Sequence, residues 1–262
     1  MRAADFIEVF EDTQRIIKDN EYLSALTERS VECTRVYDKG FHASERKIKG
    51  SELNISVING STFNTARTFT TGRVAVLNFA NPYEPGGGVK RGARAQEECL
   101  CRCSNLYNTL CTEKIDEAYY SYHKERRDDY LFSDKLVYSP DVSVVKTDSY
   151  ERLDEPFRVD VITCAAPYNV YGFDRELLKT TYESRITNIL ESAIDNDVDT
   201  IILGAFGCGV FHNPPELMAD AFRRVLVDDG YCKFFKNVVF AIINANIFDR
   251  NLAMFQEIFE SN

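Results

Sequence analysis

Apolar residues recur along the chain at two spacings. Over residues 5–36, Phe6, Val9, Phe10, Ile16 and Ile17 make one stripe at helical spacing, and Tyr22, Leu23, Leu26 and Val31 suggest a second. Residues 38–52 are polar and charged, carry Gly40 and Gly50, and read as a linker. Short β-branched runs then alternate with amphipathic stretches. The strand candidates are Leu53–Ile58, Arg73–Phe79, Ser143–Lys146, Phe157–Cys164, Thr200–Leu203 and Asn237–Ile243. The helix candidates are Ala95–Leu110, Lys114–Arg127, Arg175–Asp195, Pro215–Val227 and Phe248–Phe259. The last two strand candidates are almost continuously apolar, as strands covered on both faces are. This alternation predicts an α/β fold with a parallel or mixed central sheet between helix layers. No repeat or low-complexity tract interrupts it. The expected organisation is an N-terminal helical extension, residues 1–50, packed on one α/β core, residues 51–262.

Composition narrows the function classes. A chain of 262 residues with 44% hydrophobic and 27% charged residues is ordinary globular protein. Its longest apolar runs, such as Val238–Ile243, fall far short of the ~20 residues of a bilayer span. The opening MRAADFIEVFEDTQ has no apolar h-region and carries acids early, so no secretory signal is expected. The expected setting is cytoplasmic, or nuclear in a eukaryotic host. With 31 Lys and Arg against 41 Asp and Glu, the net charge is −10, which argues against general nucleic-acid binding. The window from Asn64 to Arg102 runs the other way, with Arg67, Arg73, Lys90, Arg91, Arg94 and Arg102 against Glu84, Glu97 and Glu98. That local excess of base suggests either a small anionic ligand or a solvated basic patch. Eight cysteines include Cys99, Cys101 and Cys103, but no C-x-x-C pair exists and histidines number three. No metal site is expected, because buried cysteine commonly serves as a small hydrophobe.

Two glycine-bearing segments follow strand candidates, where open α/β sheets bind ligands. The first is NFANPYEPGGGVKRGARAQEE, residues 78–98. Gly86, Gly87 and Gly88 let backbone N–H groups approach a bulky anion closely, and the helix starting near Ala95 adds a favourable field. Gln96, Glu97 and Glu98 open that helix. Acids in a first helical turn commonly offset the dipole, yet carboxylates beside an anion site are electrostatically awkward. Acid–base chemistry on a group attached to that anion supplies a reason for them. The second segment is GAFGCGVFHNPP, residues 204–215, with three more glycines ahead of a helix. Its bland reading places Val210 and Phe211 in the core and makes Cys208 a filler. That reading is favoured for Val210, whereas Phe211, next to polar His212 and Asn213, leans functional. His212 reads as an exposed loop residue.

The pattern GGG, seven residues, QEE, together with NFAN, Leu100, Ser104, Leu106 and Tyr107, resembles the signature of microbial-type poly(ADP-ribose) glycohydrolases. The resemblance implies a three-layer α/β/α macrodomain fold with a mixed central sheet, and no cofactor. It implies poly(ADP-ribose) or an ADP-ribosylated protein as substrate and ADP-ribose as product, released by cleavage of the ribose–ribose O-glycosidic bond. Glu98 matches the family's catalytic glutamate, which protonates the leaving oxygen and then deprotonates water. Glu97 is expected to hold ribose hydroxyls. Asn81 matches an asparagine that hydrogen-bonds the distal ribose. Gly86, Gly87, Gly88, Val89 and Gln96 are expected at the ligand or its loop. Gly207, Cys208, Gly209 and Val210 are expected to wrap the diphosphate, with Phe211 against the terminal ribose. Adjacent helical residues point about 100° apart, so Glu97 and Glu98 are not expected to flank one bond from opposite faces. Phe79, Tyr83 and Tyr107 are candidates to stack on adenine, although aromatic residues at strand ends are commonly core. Asn59, Ser61 and Thr62 are candidates for the adenosine side, and Thr163–Pro167 for the cleft wall. The alternative functions are a non-hydrolytic ADP-ribose-binding module and a hydrolase of mono-ADP-ribosylated substrates.

Overall fold

The structure is a computed structural model that describes residues 1–50, 55–244 and 250–260. Leu53 and Phe248, at the start of two candidate elements, lie outside the described residues. Seven strands form one sheet: β1 (Arg35–Tyr37), β2 (Ile55–Ile58), β3 (Val74–Phe79), β4 (Leu136–Lys146), β5 (Arg152–Cys164), β6 (Thr200–Leu203) and β7 (Asn237–Ala241). The order is β1-β4-β5-β3-β6-β7-β2. From β5 to β2 all neighbours are parallel, while β4 runs antiparallel to both β1 and β5. The sheet is therefore mixed, as expected.

Period-two alternation divides the core. Ala75 and Leu77 of β3 join Ile201, Phe240 and Ile186 on one face, whereas Val74 and Val76 join Val161, Ile202 and Leu100 on the other. Helices cover both faces. On the first lie α8 (Arg175–Asp195), α9 (Pro215–Arg223) and α10 (Asn251–Glu260). On the second lie α1 (Ala3–Asp19), α3 (Thr62–Arg67), α4 (Gln96–Cys103) and α5 (Leu106–Leu110). The helix α2 (Glu21–Cys33) follows α1 after a break at Asn20, whose side chain caps it by accepting from Leu23 N–H at 3.0 Å. A short α6 (Glu113–Ile115) passes through a π turn, Asp116–Ser121, into α7 (Tyr122–Lys124). Among the described residues no helix is long and apolar enough to cross a membrane.

Several expectations are corrected. Residues 38–50 are not a free linker. The buried Glu191 carboxylate of α8 accepts from Ala43 N–H at 2.9 Å and Tyr231 hydroxyl at 2.7 Å, and pairs with Arg46. Residues 35–37 are a strand at the sheet edge, not the end of a helix. Ala95–Leu110 splits into α4 and α5, because Ser104 bridges to Val144 and Asn105 exchanges backbone and side-chain hydrogen bonds with Ser143. Strand β4 begins at Leu136, seven residues before its candidate start. Pro140 and the left-handed Asp141 (φ +54°) interrupt its apolar alternation at an irregularity in the pairing with β5. The Pro215 helix ends at Arg223 and continues as a π turn, Arg224–Asp228.

Candidate active site

A cleft of about 580 Å³ opens at the carboxyl edge of the parallel strands. It is lined by Phe79 at the end of β3, by Asn81 beyond it, by Gln96–Cys99 of α4, by Ala166 after β5 and by Gly207 and Gly209–Phe211 after β6. Ser61 and Thr62 at the start of α3 and Ile242 after β7 close the far side.

The glycine loop does not face this cleft; it holds the two carboxylates. Gly88 N–H donates to Glu98 Oε1 at 2.8 Å, and the Gly86 N–H is directed to Glu97. Gly87 N–H is taken by Glu84 O at 3.0 Å and Val89 N–H by Gly86 O at 3.1 Å. The amide of Gly88 is therefore turned to the protein's own Glu98 carboxyl. Gly86, Gly87, Gly88 and Val89 are buried and support the two carboxyl groups from behind. At Gly87 any side chain would displace the carboxyl groups. This glycine sits at φ +56°, and a Cβ there would lie 2.5 Å from Glu98 Oε1 and 3.0 Å from Glu97 Oε2.

The two acids differ. Glu97 is 2% exposed; it accepts from Asn78 Nδ2 at 3.2 Å and from Asn81 N–H at 2.7 Å. Burial pushes its carboxyl up to about 8, against the pull of those donors. Asn81 in turn accepts from the N–H groups of Tyr83 and Glu84, at 2.8 and 3.0 Å, which fixes its loop. Glu98 lines the cleft at 7% exposure, and its Oε2 is buried with no hydrogen-bond partner among the described residues. A buried carboxyl oxygen without a partner is rare and costly, and marks a place for a ligand or a proton. Gln96 lines the cleft while its amide braces the frame. It accepts from Phe79 N–H at 2.9 Å and donates to Leu77 O at 2.8 Å and Thr62 Oγ1 at 3.1 Å.

The second glycine loop does face the cleft. Gly207 has φ +72°, with Asn213 Nδ2 2.3 Å and Ala166 Cβ 2.5 Å from the place of a Cβ. The buried Asn213 donates to Pro167 O at 2.8 Å and Gly207 O at 3.1 Å and accepts from Tyr182 hydroxyl at 2.5 Å. Cys208 N–H is used by Ala205 O at 3.1 Å, and Cys208 does not line the cleft. The N–H groups of Gly207, Gly209, Val210 and Phe211 have no hydrogen-bond acceptor among the described residues. Consecutive open amides of this kind form an anion-binding concavity. Val210 is 68% exposed, so its core reading is overturned, and His212 is exposed as expected.

Other candidates scatter. Phe79 lines the cleft, with its ring 5.7 Å from that of Phe206. Tyr107 packs against Phe10 behind the glycine loop, and Tyr83 lies outside the cleft against Phe132. Ser61 and Thr62 line the cleft, whereas Asn59 accepts from Asn244 N–H at 3.0 Å. Of the six bases in the basic window, only Arg94 lines the cleft. Arg73 pairs with Asp160 and Arg91 with Glu84, Lys90 lies over Tyr107, and Arg102 is fully buried. Arg102 donates to Ala93 O at 2.6 Å and to Tyr150 hydroxyl at 3.2 Å, with its guanidinium 4.9 Å from the Phe6 ring centroid. It ties α1 to the loop that enters α4. Cys101 and Cys103 are buried in the same core. Sequence reasoning missed Asn78, Asn213 and Arg102. Each is a polar residue among apolar or loop neighbours, and for Asn78, inside the apolar run VAVLNF, that contrast was a usable signal.

A mixed α/β sheet with a buried carboxyl oxygen, partner-free among the described residues, and an amide-lined anion cradle fits a glycosidase acting on a phosphorylated sugar. The comparisons with known proteins name the family. Residues 3–147 match the family model of the microbial-type PARG catalytic domain, and the chain belongs to that family of poly(ADP-ribose) glycohydrolases. The poly(ADP-ribose) glycohydrolase of Thermomonospora curvata shares 31% identity over 98% of this chain and 100% of its own, with a TM-score of 0.87. The same protein bound to the inhibitor ADP-HPD gives 30% identity, the same coverage and a TM-score of 0.86. The Deinococcus radiodurans enzyme in complex with ADP-ribose gives 31% identity over 89% of this chain and 96% of its own, at a TM-score of 0.78. No curated protein matches the chain significantly.

Proposed function

We propose that this protein hydrolyses the ribose–ribose O-glycosidic bond of poly(ADP-ribose) and releases ADP-ribose, with Glu98 as general acid and base. The observation that carries this reading is the Glu98 carboxyl: Oε1 is held by Gly88 N–H, and Oε2 is buried in the cleft without a partner among the described residues. A protonated Oε2 gives its proton to the departing ribose oxygen as the glycosidic bond breaks and an oxocarbenium-like ion forms. The carboxylate then takes a proton from water as the water oxygen bonds to the anomeric carbon. One carboxyl thus serves both steps. Glu97 fixes Asn81 and the end of β3, and its remaining lone pairs accept from ribose hydroxyls. The open amides of Gly207, Gly209 and Val210 receive the diphosphate, whose charge stabilises the cation across the cleft, and Phe211 packs on the terminal ribose.

Residues 1–50 act on the core, residues 51–262, as a brace. Thr13 of α1 donates to Arg102 O at 2.5 Å and Phe6 covers the Arg102 guanidinium, behind the catalytic helix. The exposed thiols of Cys33 and Cys111 fit a reducing, cytoplasmic setting. The test is a substrate comparison with products identified by mass. Polymer should yield free ADP-ribose, and mono-ADP-ribosylated protein should react far more slowly. Binding of ADP-ribose without any turnover of polymer, across a wide pH range, would replace the enzyme with a binding module.

A further inference from the structure

We infer that an aromatic strip running outward from Phe211 is a stacking site for the adenine of the polymer unit on the leaving-group side of the scissile bond. The inference rests on the poly(ADP-ribose) reading. In that polymer the oxygen protonated by Glu98 belongs to the ribose of a neighbouring adenosine, so a second purine must lie just beyond the catalytic carboxyl.

Phe211 lines the cleft, and its ring meets Tyr168 edge-on at 5.5 Å. Tyr168 lies 6.1 Å from Tyr130, and Tyr130 lies 5.0 Å from Tyr171, which is 71% exposed. Phe132 supports the start of the strip, 6.2 Å from Phe211 and 5.8 Å from Tyr83. It does so at φ +59°, a left-handed backbone that costs energy for a bulky side chain and that collects at functional sites. Backbone hydrogen bonds lock the loops together: Tyr168 N–H donates to Tyr130 O at 2.8 Å, and Asn169 N–H to Phe211 O at 2.9 Å. The strip is thus continuous with the cleft, rigid at its base and open at its outer end. Successive aromatic faces beside a cleft are how proteins hold bases of single-stranded polymers without reading sequence. Exposed Arg126 and Arg127 stand beside exposed Asp128 and Asp129 there, so the local charges offset each other and stacking carries the contact.

The test uses the Tyr130→Ala/Tyr171→Ala double variant and the exposed single variant Tyr171→Ala, each in the full chain carrying Glu98→Gln. Binding of a defined ADP-ribose oligomer and of free ADP-ribose is measured by calorimetry. Oligomer affinity should fall about tenfold or more in the double variant, the size expected for a lost base–aromatic stack. Affinity for ADP-ribose should stay unchanged, which also reports that the fold is intact. Tyr171→Phe should keep oligomer affinity. Unchanged oligomer binding in both alanine variants, or an equal loss for ADP-ribose, would overturn the strip while leaving the glycohydrolase reading untouched. A wild-type protein that releases nothing from polymer would overturn that reading and, with it, the strip.

Discussion

Replacing Gly87 with alanine separates catalytic geometry from stability. The new Cβ would stand 2.5 Å from Glu98 Oε1, where ordinary contact begins at 3.4 Å. The carboxyl must therefore withdraw by about 0.9 Å, and a misplacement of ~1 Å costs about a hundredfold in rate. The left-handed backbone at φ +56° adds about 1–2 kcal/mol of strain, since the Cβ meets its own chain there. At about 2–4 °C per kcal/mol for a chain of this size, Tm should drop only a few degrees. The assay is steady-state release of ADP-ribose from polymer, with thermal unfolding and ADP-ribose binding measured on the same preparations. Gly209→Ala is the control. A Cβ there meets nothing within 4 Å among the described residues, so its Tm should not move. A Gly87→Ala protein with kcat within about threefold of wild type would refute the claim that the glycine loop exists to seat the carboxylates.

Three further expectations follow from buried polar groups. Glu97 has its carboxyl raised by burial from 4.5 to about 8, so the native state holds a proton that the unfolded chain releases. Stability should therefore fall as pH rises between those values, and Glu97→Gln should flatten that slope in urea titrations; an identical slope in the variant would contradict the assignment. Asn213→Ala removes the bonds to Pro167 O and Gly207 O and should cost about 1–3 kcal/mol. It should also weaken ADP-ribose binding, and unchanged binding would show that the loop needs no brace. Arg102→Leu unties Ala93 from α1 and should destabilise by about 2–3 kcal/mol, with a lower kcat at unchanged KM. A kcat equal to wild type would confine Arg102 to a purely structural role.

The elements that were legible in the sequence are those fixed by local pattern. Thr200–Leu203 and Arg175–Asp195 have the same bounds in the structure, because an apolar run marks the strand and the Asp174 cap marks the start of the helix. Strand β1 has three residues, one of them Arg35, and gains its conformation from pairing with β4. Helix α3 is a single polar turn and a half. The π turns after α6 and α9 break helical spacing without a sequence mark. At the site, the residue types were legible and the direction of the glycine loop was not. Backbone N–H groups carry no label for the anion they serve, and only the fold places Gly88 beneath Glu98. Asn78, Asn213 and Arg102 act across 19, 46 and 9 residues of chain, to Glu97, Pro167 and Ala93, a kind of contact that spacing does not encode.

The central claim is that one proton on the Glu98 carboxyl breaks the glycosidic bond, and Glu98→Gln tests it most directly, since it keeps shape and removes the acid. Release of ADP-ribose from polymer by the variant, measured beside its affinity for ADP-ribose, should fall by about 10²–10⁴-fold with affinity retained. Turnover near the wild-type rate by a variant that still binds ADP-ribose would contradict the account.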